Sequence, residues 1–328
     1  MRVEDFQVKI GNNIVLEHPI INAAGTCKNL GEIGDVDSIR AFANSSIAAL
    51  MIGTVTIGFR DGNRGKDFYW ENGFTLNSSG MPNPGLKYYQ GNWPLIEQCC
   101  KEALNGPKPI FVSVFGFELE EFVEMVRFFR GKVALVELNL SCPNIGKRVI
   151  CYNPDNVSNI LETLNMFFGE EVNFAVKLAP FVDGWLLERV VKVIADCPIV
   201  RAITTCNSFP GAYDCDSDGR PVICTSNNDN KYNFLGGMSG TALMPIALGQ
   251  IVQIKKILSD IGSEIKIIGV GGIKTGLDVW KFLKTGASAV QIGSAFLEKP
   301  NVKIFDRILS EFIDVSENFE IKNSPYQS

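Results

Sequence analysis

Cys142 stands in the stretch ELNLSCPN (Glu137–Asn144), where an apolar run ends in asparagine, serine, cysteine, proline and asparagine. A thiol placed this way can fill space, ligate a metal or take a proton. Most free cysteines are small buried hydrophobes. One that takes a proton must work through its thiolate, which is scarce at neutral pH for a group with a pKa of about 8.5. The metal reading has little support, because no C-x-x-C pair exists and the only histidine is His18, in Glu17-His18-Pro19. Structural zinc is therefore not expected, and the usual general base is missing.

Three further groups could do chemistry. Lys177 ends NFAVKLAP, where a cation could hold a reduced flavin on its anionic side, form a Schiff base or pair with a barrel carboxylate. Asn77, Asn139 and Asn207, with Asn144 nearby, bring neutral amides that donate and accept, as an imide or cyclic amide requires. The turns GVGGIKTG (Gly269–Gly276), QIGSAF (Gln291–Phe296) and GGMSG (Gly236–Gly240) carry glycines ahead of helical segments, a pattern that cradles phosphate. A phosphate on the substrate, FMN and pyridoxal phosphate all fit those turns.

The elements that must position these groups are legible as short apolar runs, each followed by a segment with helical spacing. The runs are Pro19–Ala23, Ala48–Ile52, Ile110–Val114, Ala134–Leu140, Phe174–Leu178, Arg201–Thr205, Ile265–Val270 and Ala289–Ile292. Eight buried strands alternating with helices predict a (β/α)8 TIM barrel, with an open doubly wound sheet as the alternative. Helices are expected at Glu118–Arg130, Asn156–Phe168, Trp185–Ala195, Ile246–Ser259 and Leu277–Thr285. An N-terminal hairpin about Gly11-Asn12-Asn13 is expected to plug the barrel bottom. The long stretches Thr54–Asn92 and Asn207–Gly240 follow strands two and six, which puts both on the face where barrel active sites lie. One domain over residues 1–328 is expected, with the tail from Glu317 frayed.

Composition excludes several classes. Hydrophobic residues make up 46% and charged residues 20%, which suits a folded core rather than disorder. A net charge of -5 without any basic run leaves no footprint for nucleic acid. No apolar stretch of membrane-spanning length is expected, and the opening MRVEDFQVKIG carries acids where a signal core would lie, so a cytoplasmic location is expected. Nine cysteines, an odd number, argue for free thiols. Neither an iron-sulfur cysteine cluster nor a dinucleotide fingerprint is present.

Taken in order, NAAG, RDGN, NSSGMPNPG, NLSCPN, VKLAP, TCNS, GGMSG, GVGGIKTG and QIGSAF resemble the class 1 dihydroorotate dehydrogenases, closest to class 1A. The resemblance spans nearly the whole chain. It implies FMN in the barrel mouth, oxidation of a dihydropyrimidine, a homodimer, and a soluble electron acceptor such as fumarate. It further implies Cys142 as the base for the ring C5 proton. Asn77, Gly80, Met81, Asn139, Asn144, Asn207 and Ser208 match substrate positions. Ala24, Gly53, Thr54, Asn139, Lys177, Cys206, Gly240, Gly271, Gly272, Gly293 and Ser294 match FMN positions. One departure stands out: where the family carries a lysine seven residues before the arginine of an REGN-like stretch, this chain has Gly53. A related enzyme acting on another dihydropyrimidine or cyclic amide is therefore the alternative, followed by a flavin-binding barrel without turnover and an aldolase-like barrel with Lys177 as Schiff base.

Overall fold

The computed structural model describes residues 6–11, 13–27, 35–71, 73–142, 149–226 and 232–322. Eight parallel strands occupy the expected places: Ile20–Asn22, Leu50–Val55, Ile110–Val114, Leu135–Asn139, Phe174–Leu178, Val200–Thr205, Lys266–Val270 and Ala289–Ile292. They are numbered here one to eight. They pair in the order one, eight, seven, six, five, four, three, two, and the ring closes between strands one and two. Closure uses a side chain as well as backbone: Ala48 N–H donates to Ile20 O at 2.9 Å. Asn22 accepts from Met51 N–H at 2.8 Å and donates to Met51 O at 2.8 Å. The buried amide thereby satisfies backbone groups that lack a full strand partner.

The period of two along each strand sorts side chains into two cores. Val112, Val114, Val136, Leu138, Val176, Leu178, Ile203, Val290 and Ile292 turn outward to the helices. Phe111, Leu135, Ala175, Ala202, Ile268 and Ala289 turn inward and meet Ile10, Ile14 and Leu16 of the N-terminal hairpin. That hairpin, Val8–Ile10 paired with Ile14–Leu16, plugs the bottom as expected. One step further along the strands the inward positions become polar, with Ser113, Glu137, Lys177, Thr204 and Gln291 all buried. The sequence dictates this change: each strand begins apolar on its inner face and ends in residues that can bond a ligand.

Helices follow at Val36–Ala43, Leu86–Lys101, Leu119–Phe129, Pro154–Phe168, Gly184–Ala195, Met244–Asp260, Gly276–Thr285, Ser294–Glu298 and Lys303–Lys322. Several starts are fixed by capping. Asn153 accepts from Asp155 and Asn156 N–H, Asp183 from Trp185 and Leu186 N–H, and Thr275 with Asp278 forms a capping box.

Three expectations need correction. Strand two runs to Val55 rather than stopping at Ile52, because the chain continues past Gly53 with a register shift between Ile52 and Val55. Thr241–Asp260 is long and apolar enough to cross a membrane by length and composition. In this fold it supplies a barrel helix whose Ala247, Ile251, Ile254 and Leu258 are buried in the core. The last helix extends through Glu317 to Lys322, with Phe319 stacked on Trp280 at 4.4 Å, where fraying was expected; the rest of that tail, 323–328, lies outside the described residues.

The two long loops meet above the barrel. Phe68–Glu71 and Phe74–Asn77 come from the loop after strand two, Phe209–Ala212 and Gly236–Gly240 from the loop after strand six. Together they form one antiparallel sheet in the order Phe209–Ala212, Gly236–Gly240, Phe74–Asn77, Phe68–Glu71. This sheet lies over the strand ends, with Phe68, Thr75, Asn77 and Ser239 lining the cavity between them.

Candidate active site

A cavity of about 450 Å3 lies between the strand ends and the covering sheet. Cys142, Asn77, Gly80, Met81, Asn139, Asn207 and Ser208 line it, as do Ala24, Thr54, Lys177, Cys206, Gly271, Gly272, Gly293 and Ser294. Asn144 lies outside the described residues. Gly53 and Gly240 do not line the cavity. They shape its wall from behind: Gly53 O accepts from Gly25 N–H at 2.7 Å, and a Cβ on Gly272 would stand 2.4 Å from Gly240 O.

A hydrogen-bond chain runs along the cavity wall. Asn207 donates to the Ser141 hydroxyl at 2.9 Å, Ser141 donates to Asn139 Oδ1 at 2.9 Å, and Asn139 donates to Thr54 Oγ1 at 3.0 Å. Thr54 meets the Ser113 hydroxyl at 3.1 Å. Side chains from strands two, three and four and from the segments after strands four and six are thereby linked. Ser141, fully buried, was not singled out from the sequence. Its position between Asn139 and Cys142 was the available signal.

Below this chain lies a second network. Lys177 donates to Gln291 Oε1 at 3.1 Å, Gln291 donates to Glu137 Oε2 at 2.6 Å, and Lys177 Nζ lies 3.7 Å from Glu137 Oε1. Lys177 is therefore both a cavity-lining cation and the partner of a barrel carboxylate. No Schiff-base role is needed to explain its burial. Glu137 could have been found by the period of two, being two residues before Asn139 on the same strand face.

The loop from Asn77 to Gly85 is held from outside the cavity. Arg60 donates to Gly80 O at 3.2 and 3.1 Å and lies over the Phe117 ring at 5.0 Å. Asn83 donates to Met81 O at 3.0 Å and accepts from Thr56 and Gly85 N–H. Met81 is the non-glycine residue with left-handed backbone, at φ 57°, among the described residues. Such strain persists only where the surroundings hold it, and Asn83 is the holder.

The two cavity thiols are not equivalent in place or partners. Burial pushes the Cys206 thiol up to about 12 despite the opposing pull of the Lys177 charge, so it stays protonated. Cys142 sits at the end of strand four beside the asparagines. His18 is far from all of this at the barrel bottom, accepting from Ile20 N–H. Among the described residues no cluster of His, Cys, Asp or Glu could hold a metal ion.

The residues present fit a phosphate-bearing flavin. Gly271 and Gly272 form a turn with no room for side chains, since a Cβ on Gly272 would strike Gly240 backbone. The Thr75 hydroxyl, on the cavity lining, is buried without a hydrogen-bond partner among the described residues. The cavity floor carries a cation.

Fold and site together define a (β/α)8 barrel whose strand ends bring two thiols, a set of amides and glycine turns to one cavity. The dihydroorotate dehydrogenase family model matches residues 6–315. A dihydroorotate dehydrogenase (fumarate) of Saccharomyces cerevisiae is 32% identical over 309 residues, covering 93% of this chain and 91% of that one. A dihydroorotate dehydrogenase A (fumarate) of Lactococcus lactis is 30% identical over 308 residues, covering 93% and 92%. The crystal structure of DHODH from Eimeria tenella in complex with ferulenol superposes with a TM-score of 0.76 at 18% identity, covering 98% of this chain and 86% of that one. The chain belongs to the dihydroorotate dehydrogenase family, a family of oxidoreductases.

Proposed function

We propose that this protein oxidises dihydroorotate to orotate with FMN as cofactor, a step of pyrimidine biosynthesis. The observation that carries the reading is that Cys142, three asparagine amides and the glycine turns of strands seven and eight line one cavity. When bound, FMN would supply the acceptor for the hydride on ring C6. Gly271, Gly272, Gly293 and Ser294, with Gly240 behind them, would hold its phosphate side. Ala24, Thr54, Asn139, Lys177 and Cys206 would surround its ring.

The chain's own work is to hold the substrate and move a proton. Asn77, Asn139, Asn207 and Ser208, with backbone at Gly80 and Met81 and with Asn144, would fix the imide edge, because amides both donate and accept. Cys142 takes the proton from C5 while the C6 hydride leaves, so the C5–C6 single bond becomes double and two electrons pass out of the ring. A soluble acceptor such as fumarate then receives them. The whole chain acts as one domain, as a cytoplasmic homodimer, without a nucleic acid or membrane partner.

A second reading, oxidation of an uncharged dihydropyrimidine or cyclic amide, is favoured by the charge lining the cavity. Asp61 and Asp67 line it with Lys177 as the cation among the described lining residues, and Lys177 is already paired. Arg60 is committed to Gly80 O. Anaerobic mixing separates the readings: bleaching of the flavin absorbance by dihydroorotate supports the first, and bleaching by dihydrouracil alone supports the second. The variant C142S should lose most turnover, and full turnover in it would remove Cys142 from the mechanism.

A further inference from the structure

The Phe74–Asn77 strand has two faces with different fates. Phe74 and Leu76 turn to a small apolar cluster with Val222, Ile223 and Met238. The period of two then sends Thr75 and Asn77 to the other side, where both line the cavity, together with Phe68 and Ser239 from the neighbouring strands. Thr75 is 1% exposed, and its hydroxyl has no hydrogen-bond partner among the described residues. A buried hydroxyl without a partner is a cost that valine, of the same shape and equally suited to a strand, would avoid.

Its place along the ladder indicates what would offset that cost. Thr75 stands directly opposite Ser239, and the next pair is Phe74 opposite Gly240. Gly240 in turn backs the Gly272 turn. Asn77, two residues away, is bonded instead to Gly237 O at 3.1 Å, beside Ser208. Thr75 and Ser239 therefore put two hydroxyls on the glycine-turn side of the cavity, away from the asparagine side.

We propose that Thr75 is a cofactor-binding residue whose hydroxyl bonds the polar, ribityl phosphate part of the flavin, with Ser239 beside it. This rests on the FMN reading above. The test uses T75V, which keeps the shape and removes the hydroxyl, and T75S, which restores it. Apoprotein of each is titrated with FMN by the quenching of flavin fluorescence. The FMN Kd of T75V should rise about tenfold, the worth of one buried hydrogen bond, and T75S should return it to within about threefold of wild type. Apo T75V should melt no lower than apo wild type, whereas the gain in Tm on adding FMN should shrink. A merely structural threonine would lower the apo Tm instead.

An unchanged FMN Kd in T75V, or a raised KM for dihydroorotate with FMN affinity intact, would overturn the proposal. The two readings fail differently. A wild-type protein that takes up no FMN defeats the cofactor reading and this contact together, whereas wild-type uptake matched by T75V defeats this contact alone.

Discussion

Asn207 donates to the Ser141 hydroxyl at 2.9 Å, so two residues 66 positions apart share one hydrogen-bond chain across the cavity. Ser141 passes the chain on to Asn139, and its own burial is complete. It positions the two amides proposed to hold the ring, and it does not itself line the cavity.

Ser141→Ala should therefore loosen both asparagines without removing either. We expect KM for dihydroorotate to rise about tenfold, equivalent to roughly 1.4 kcal/mol for a lost buried hydrogen bond and an unsatisfied amide, with a smaller change in kcat. Steady-state kinetics on the FMN-loaded variant checks this, and an unchanged KM would refute the positioning role.

The Glu137 and Lys177 pair predicts a stability effect. Glu137 is fully buried and Lys177 nearly so, so Glu137→Gln leaves a buried cation without its counter-charge. Breaking such a pair costs about 3–5 kcal/mol. Urea unfolding monitored by tryptophan fluorescence should show the free energy of unfolding lowered by that amount, and the double variant E137Q/K177M should recover much of it.

Gly53 predicts that a side chain cannot simply be put back. Its φ is 93° and an added Cβ would stand 2.4 Å from Ser113 O, so both conformation and space oppose it. Gly53→Ala should destabilise by more than about 1 kcal/mol, and Gly53→Lys should cost at least as much without raising turnover of dihydroorotate. Thermal unfolding of both variants measures the first, and a G53K protein of wild-type Tm would contradict it.

The buried titrating groups predict the pH limits of the fold. Burial holds the Cys27, Cys100, Cys151 and Cys206 thiols up at about 12 from an ordinary 9.0. In the unfolded chain they lose protons first, so the folded state binds more protons between pH 9 and 12 and stability falls as pH rises through that window. His18 works at the other end, because burial first and Lys108 second lower it to about 3 from 6.5. The unfolded chain then binds the extra proton, and stability falls as pH drops from 6.5 toward 3. Urea midpoints measured from pH 4 to 11 should form a plateau between about 7 and 9 with losses on both sides. A midpoint that does not move between pH 9 and 11 would contradict the thiol assignments.

Much of the architecture was readable in the chain itself, for a local reason. Buried parallel strands need unbroken apolar runs, and helices need their own spacing, so Ile110–Val114 and the helix expected at Trp185–Ala195 announce themselves within a few residues. The glycine turns and ELNLSCPN were legible for the same reason, being contiguous. Gly53 misled the reading of strand two because glycine within a run signals an end, whereas here it carries the chain past Ser113.

What residue order left undecided was every relationship made across the barrel. Nothing local pairs Asn22 with Met51, Ser141 with Asn207, or Glu137 with Lys177 through Gln291. Nor does anything local say that two polar loops, one after strand two and one after strand six, join into a single sheet and turn Thr75 inward. The sequence by itself determined which elements form and which chemical groups arrive at the strand ends, because propensity and period act over neighbours in the chain. The tertiary structure alone decided which of those groups meet, because closing the barrel brings together residues whose separation along the chain carries no force.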